Sequence, residues 1–150
     1  MEIRPFAEED RYEVATLIRQ VLEEYGLLND PGSLTSDIAK LTRRYETEGA
    51  GFWVLLADGK VIGTVALKPQ GEYTAEVEKM YLSSRVRGKG VGRSLLNFIE
   101  DQAKKNGFKR LFISCSKKFE KSKNFFQNAH YRLVGDTGSQ TENLFEKEIT

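Results

Sequence analysis

The chain has one cysteine and one histidine among its 150 residues. A single cysteine excludes an internal disulfide, and one cysteine with one histidine excludes a zinc site of the usual nitrogen and sulfur ligands. No EF-hand spacing occurs among the carboxylates, so no metal is expected. Proline is scarce, at three residues, and no internal repeat, low-complexity tract or linker is visible. No apolar run approaches the ~18 residues needed to span a bilayer. Met1 leads into charged residues without the apolar segment of a signal peptide. Charge of one sign is also missing: 23 Lys and Arg face 22 Asp and Glu, and a formal net charge of +1 does not suggest a nucleic-acid surface. The expectation is a cytoplasmic protein with no membrane or nucleic-acid partner, folded as one domain over residues 1–150.

What the chain does have is a glycine-rich turn. In Met80 to Ser94, MYLSSRVRGKGVGRS, a β-type run passes through Gly88, Gly90 and Gly92 into apolar residues at helical spacing, Val91, Leu95, Leu96, Ile99 and Ala103. A strand, a glycine turn and a helix N-terminus together expose main-chain N–H groups at the positive end of a helix dipole, which suits an anion. Arg85, Arg87, Lys89 and Arg93 crowd the same turn and suit a ligand with more than one phosphate. A Walker A loop fails, because Gly92 is followed by Arg93 and Ser94 rather than by Lys and Ser or Thr. A dinucleotide fingerprint fails because the third glycine comes one position early. A purely structural glycine turn is the alternative.

The remaining chain alternates β-type and helical patterns. Glu2 to Phe6 reads as a strand, followed by a helix through Val14, Leu17, Ile18, Val21 and Leu22 that ends at Gly26. A second helical pattern runs through Leu34, Ile38, Leu41 and Tyr45. Phe52 to Ala57 and Lys60 to Leu67 are β-rich and flank Asp58-Gly59, a strong hairpin signal. Thr74 to Leu82 supplies the strand before the glycine turn, and the helix after it closes at Gly107. Phe108 to Cys115 should run parallel to Thr74 to Leu82, since a strand, helix and strand of this length form a right-handed crossover. A helical stretch, Lys117 to Asn128, and two closing strands, Tyr131 to Gly135 and Leu144 to Ile149, complete the chain. The fold class is α/β with a mixed, α+β-like sheet.

The pattern Arg87-x-x-Gly90-x-Gly92 resembles the R/Q-x-x-G-x-G/A signature by which the GNAT superfamily of N-acetyltransferases holds the pyrophosphate of acetyl-CoA. The order of elements resembles the GNAT acyl-CoA N-acyltransferase fold over essentially the whole chain. The resemblance implies acetyl-CoA as cosubstrate, with Arg87, Gly88, Lys89, Gly90, Val91, Gly92, Arg93 and Ser94 at its pyrophosphate. It also implies that the strand carrying Met80, Tyr81 and Leu82 splays from its neighbour and pairs with the pantetheine arm. FFQNAHYRLVG, from Phe125, lines up with the family's F-Y-x-x-x-G-F run. Phe126 then falls at a cofactor-contacting position where a tyrosine often protonates the departing thiolate, and His130 and Tyr131 replace the Gly-Phe pair. Tyr131, Tyr81 or solvent would have to substitute.

Acetyl transfer to an amine needs a base, because a primary amine has a reference pKa near ~10. Glu76 and Glu78 lie two apart on a strand and share one face, so their repulsion should raise one pKa. Glu76 is the favoured base with Glu78 assisting; the alternative is that both are solvated charges. His130 reads equally as a cap or surface residue, and Cys115 as a small buried residue. Lys117, Lys118, Lys121 and Lys123 read either as contacts to the 3′-phosphate of CoA or as a solvated face. The resemblance places the acceptor between loops Tyr25 to Leu34 and Asp136 to Glu142, where Glu23, Glu24, Asp30 and Asp136 would suit a cationic amine. It leaves open an amino acid, a polyamine, an antibiotic or a protein amine, and a monomer or homodimer. A GNAT-fold module that binds acetyl-CoA with little turnover is the alternative function.

Overall fold

A computed structural model describes residues 1–27, 40, 43–135 and 137–150. Leu34, Ile38 and Leu41 of the second helical pattern, most of the loop from Tyr25 to Leu34, and Asp136 lie outside them; Lys40, Arg43 and Arg44 are helical. In chain order the elements are β1 (Glu2–Pro5), α1 (Arg11–Glu24), β2 (Gly51–Ala57), β3 (Lys60–Pro69), β4 (Thr74–Leu82), α2 (Val91–Lys105), β5 (Arg110–Ser116), α3 (Ser122–Asn128), β6 (Arg132–Leu133) and β7 (Glu142–Glu148). The strands form one sheet in the order β1-β2-β3-β4-β5-β7-β6. β4 and β5 are parallel and the other pairings are antiparallel, so the expected crossover through α2 is present.

Apolar periodicity explains the layers. Val14 and Ile18 of α1 pack with Val54, Leu56 and Ala66 on one side of the sheet. Leu95, Leu96 and Ile99 of α2 pack with Val65, Leu67, Val77, Leu111 and Phe145 on the other. β3 lies centrally and is buried from Ile62 to Leu67, as its continuous apolar run requires. Asp58 and Gly59 both have positive φ, 51° and 75°, the geometry of a tight hairpin turn. Before α1, the Asp10 carboxylate accepts two bonds from Arg4 and one from the Ala7 N–H, which anchors the chain's entry into the helix. The Arg4 hydrogen bonds hold that carboxyl below its ordinary range.

The last helix and the first closing strand are shorter than the periodicity suggests, whereas β7 begins at Glu142, two residues before the expected Leu144. β6 comprises Arg132–Leu133, because Tyr131 turns into the core after His130, whose φ is +71°. That left-handed backbone is the conformation glycine adopts without strain, and here a histidine holds it. α3 begins at Ser122, and Lys117 to Lys121 form the turn before it.

β4 carries one extra residue. Thr64 pairs with Tyr81 and Ala66 with Glu78, so three steps on β4 oppose two on β3, and Lys79 has φ +51° within this bulge. Below the bulge Ala75 and Val77 face the α2 layer; above it Met80 and Leu82 do so, and Tyr81 joins the α1 layer.

Candidate active site

The two parallel strands are paired only at one end. β4 meets β5 from Thr74 opposite Arg110 to Val77 opposite Ile113, whereas β4 continues to Leu82 and β5 to Ser116. Beyond Val77 the β5-facing side of β4 has no strand partner among the described residues. Met80, Tyr81 and Leu82 therefore border an opening with main-chain groups on its edge, and a linear polar chain could pair there as a strand would.

The glycine turn lies at the open end. After Leu82, the Ser83 N–H donates to Ile62 O, a short 3-10 turn covers Ser84–Val86, and Gly90 caps α2 with φ +81°. No side chain caps this helix and its first turn carries no acidic residue, so the orphan N–H groups of the first turn face outward. A Cβ added at Gly88 or Gly90 would meet nothing within 4 Å, so the open space over the turn would admit a phosphate. At Gly92 a Cβ would lie 3.2 Å from Leu82 and 3.4 Å from Phe125, so there the missing side chain serves packing. An uncapped helix N-terminus, an open glycine turn and cationic neighbours fit a diphosphate such as that of CoA.

The arginines of the turn divide their tasks. Arg87 turns away from the glycines: its guanidinium donates to Leu82 O at 2.9 Å, to the Tyr25 hydroxyl at 3.2 Å, and to Glu24 in an ion pair. Its side chain thus ties the end of β4 to the end of α1. Arg93 donates to Asn97 Oδ1 and to Asn128 O, both at 3.3 Å. Lys89 is exposed at the crest of the turn, Val91 is buried beneath it, and Ser94 is exposed one turn into α2. Of the later lysines, Lys118 donates to Gly26 O at 3.2 Å, while Lys117, Lys121 and Lys123 are exposed.

Glu76 and Glu78 are half-buried on the same face of β4, next to the point where β5 departs. Their environments differ. Glu78 accepts two bonds from the Arg44 guanidinium, at 3.0 and 2.9 Å, and one from the Tyr45 hydroxyl at 2.7 Å. Burial alone would raise its carboxyl, but these bonds and the Arg44 charge outweigh that and hold it below its ordinary range. Glu76 accepts one bond, from Gln70 Nε2 at 2.8 Å. Burial first and the Glu78 charge second raise its carboxyl above the ordinary value, with Glu142 adding to the rise and Arg44 opposing it. The two carboxyls are thus split, Glu78 tied and lowered and Glu76 raised.

Tyr131 lies elsewhere. It is buried and donates to Glu100 Oε2 at 2.8 Å, and burial together with the Glu100 charge raises its phenol. A hydroxyl so engaged inside the α2 layer is not poised to protonate a leaving group at the strand opening. Phe126 is also in the core, against Phe125, Tyr131 and Phe145; Phe125 is the ring that packs beneath the glycine turn. Burial raises the Cys115 thiol, as for an unreactive cysteine. Burial likewise raises the Tyr81 phenol, with the Cys115 charge second. His130 is exposed. Among the described residues, no cluster of three or more His, Cys, Asp or Glu gathers as metal ligands would, and no helix is long and apolar enough to cross a membrane.

Sequence reasoning missed Arg44, Tyr45 and Gln70. Tyr45 counted only as an apolar member of a helix, and the separation of 34 positions between Arg44 and Glu78 carries no spacing signal.

Comparison with known proteins identifies the family and the fold. The model of the acetyltransferase (GNAT) family matches residues 17–131. An uncharacterised N-acetyltransferase of Escherichia coli, YjgM, is 33% identical over 113 residues, covering 72% of this chain and 68% of that protein. Human N-acetylaspartate synthetase is 33% identical over 124 residues, covering 75% of this chain, and the chain spans only 41% of it. Among solved structures, a GNAT-family acetyltransferase of Staphylococcus aureus superposes with TM-score 0.89 at 16% identity, covering 99% of both chains. The PaiA N-acetyltransferase of Thermoplasma acidophilum, solved with coenzyme A, superposes with TM-score 0.80 at 20% identity, covering 98% of both. These two likenesses concern the fold. The extent of the family match and the identity to YjgM settle membership: the chain belongs to the GNAT family of acetyltransferases and is by class an N-acetyltransferase.

Proposed function

We propose that this chain moves an acetyl group from acetyl-CoA to an amine, with Glu76 as the base that takes the amine's proton directly or through a water. The observation that carries the reading is the parting of β4 from β5 at Val77, with the open glycine turn at one end of the gap and Glu76 at the other.

Acetyl-CoA supplies an acetyl group activated as a thioester. Toward it the N–H groups of the glycine turn and of α2's first turn bind diphosphate, with Arg93 and Lys89 adding charge. The unpaired edge of Met80, Tyr81 and Leu82 aligns the pantetheine arm, and its main-chain N–H meets the charge that develops on the thioester carbonyl. A primary amine arrives protonated at neutral pH, since its reference pKa is ~10, and the raised carboxyl of Glu76 matches the task of deprotonating it. Arg44 and Tyr45 keep Glu78 anionic beside it, and the Glu78 charge keeps Glu76 basic. With Phe126 in the core and Tyr131 bonded to Glu100, the departing thiolate takes its proton from Tyr81 or solvent.

The buried state of both aromatic candidates also favours a second reading, a module that binds acetyl-CoA with little turnover. Calorimetric titration with acetyl-CoA separates the possibilities when wild type is run beside Gly90→Glu and Glu76→Gln, followed by assay of CoA release with a panel of amines. The proposal expects binding lost in Gly90→Glu, kept in Glu76→Gln, and CoA release that Glu76→Gln slows. Binding without release across the panel supports the module; no binding by wild type overturns both.

A further inference from the structure

Thr64 is a hydroxyl in the middle of an apolar strand. It lies in β3 within the run Ile62 to Leu67 and is fully buried. A buried hydroxyl must find a partner, and that of Thr64 donates at 2.7 Å to Lys79 O. Lys79 is the bulge residue of β4, at φ +51°. Lysine has no intrinsic preference for the left-handed region, so the conformation persists only where its surroundings impose it. The Thr64 hydroxyl is a direct constraint of that kind.

Its geometric consequence reaches the site. Lys79 C=O and Met80 N–H belong to one peptide group, which is trans and planar, so the two point in opposite directions. Holding the carbonyl against Thr64 fixes the Met80 N–H away from it. Beyond Val77 the strand on the far side of β4 has already departed.

We infer that Thr64 is a positioning residue for acetyl transfer: its bond to the Lys79 carbonyl aims the Met80 N–H into the gap between β4 and β5, at the thioester carbonyl oxygen. This rests on the proposed function. Without the hydroxyl the peptide plane is free to rotate, and an N–H displaced by a fraction of an ångström loses much of its value to the reaction.

The test compares Thr64→Val, which keeps the shape and removes the donor, with Thr64→Ser, which keeps the donor. In ligand-free protein the Met80 amide resonance should shift in the valine variant and return in the serine variant. With acetyl-CoA labelled at the thioester carbonyl, the downshift of the carbonyl stretch on binding should shrink in Thr64→Val at unchanged affinity. The turnover number should fall about tenfold to a hundredfold while KM for acetyl-CoA holds. A valine variant with wild-type Met80 amide resonance, carbonyl stretch and turnover overturns the inference. Should the valine variant not fold, Thr64→Cys, a weak donor of similar volume, is compared with Thr64→Ser, and equal values in the two overturn it. If wild type binds no acetyl-CoA, the proposed function fails instead, and the Met80 amide still reports on whether the hydroxyl holds the bulge.

Discussion

Two clusters in this molecule are built from the same three groups and differ in one. Between α2 and β7, Glu100 accepts from the Tyr131 hydroxyl at 2.8 Å and from Lys147 Nζ at 3.0 and 3.2 Å. Where β4 leaves β5, Glu78 accepts from the Tyr45 hydroxyl at 2.7 Å and from Arg44 at 3.0 and 2.9 Å. Each has a carboxylate, a phenol and a cation, and in each the charge is matched. The second cluster also faces Glu76, whose carboxylate is bonded by no cation among the described residues. A matched cluster is a structural tie; the carboxylate in excess beside one is the base of the proposed reaction. The comparison separates function from packing where burial alone does not, since all three carboxylates are at least half-buried.

The largest effect that would break this contrast is at the excess carboxylate. Glu76→Gln should lower the turnover number of amine acetylation by about 10²- to 10⁴-fold, the usual range for a general base, while leaving calorimetric affinity for acetyl-CoA unchanged. An equal loss of binding would show that Glu76 shapes the cofactor site and is not its base. Next in size is the matched cluster. Tyr131→Phe removes a buried donor from Glu100 and should cost about 1–3 kcal/mol of stability in chemical denaturation. The folded variant should acetylate at the wild-type rate, and a drop in turnover would restore Tyr131 as a proton donor.

The sequence made some of this visible and concealed the rest for physical reasons. Asp58-Gly59 announced a hairpin because few residue pairs accept two successive positive φ angles. The run from Met80 through Gly92 stood out as the candidate anion site because its glycines, cations and helix start lie close together in sequence. Strand bounds were less legible where one residue decides them: β6 is two residues long because Tyr131 is drawn into the core, and a tyrosine reads equally as core or as site. The bulge at Lys79 was invisible, since lysine carries no left-handed signature and the constraint comes from a hydroxyl 15 positions away. The split between Glu76 and Glu78 was legible as a repulsion, and the choice of Glu76 over Glu78 had no spacing signal behind it. Which of two neighbouring carboxylates yields depends on Arg44 and Tyr45, and the fold alone brings these to Glu78.

The smallest effects sharpen the comparison most, because their signs differ. Activity that needs Glu76 deprotonated falls as pH drops through its raised pKa, which sets an acid limb in the pH profile of the turnover number. The groups acting on Glu76 are the Glu78 and Glu142 charges, which raise its pKa, and the Arg44 charge, which lowers it. Glu78→Gln removes a raising charge, so the acid limb should move to lower pH. Arg44→Gln removes the lowering charge and also frees Glu78 from its ion pair, so the limb should move to higher pH. In the matched cluster, Lys147→Gln should leave the limb where it is, because neither Lys147 nor Glu100 is among the groups that act on Glu76. Profiles of the three variants against wild type check this. If Glu78→Gln and Arg44→Gln move the limb the same way, a group other than Glu76 is titrating. Opposite shifts mean that Glu76 is the titrating group, raised by the Glu78 charge and lowered by the Arg44 charge beside it.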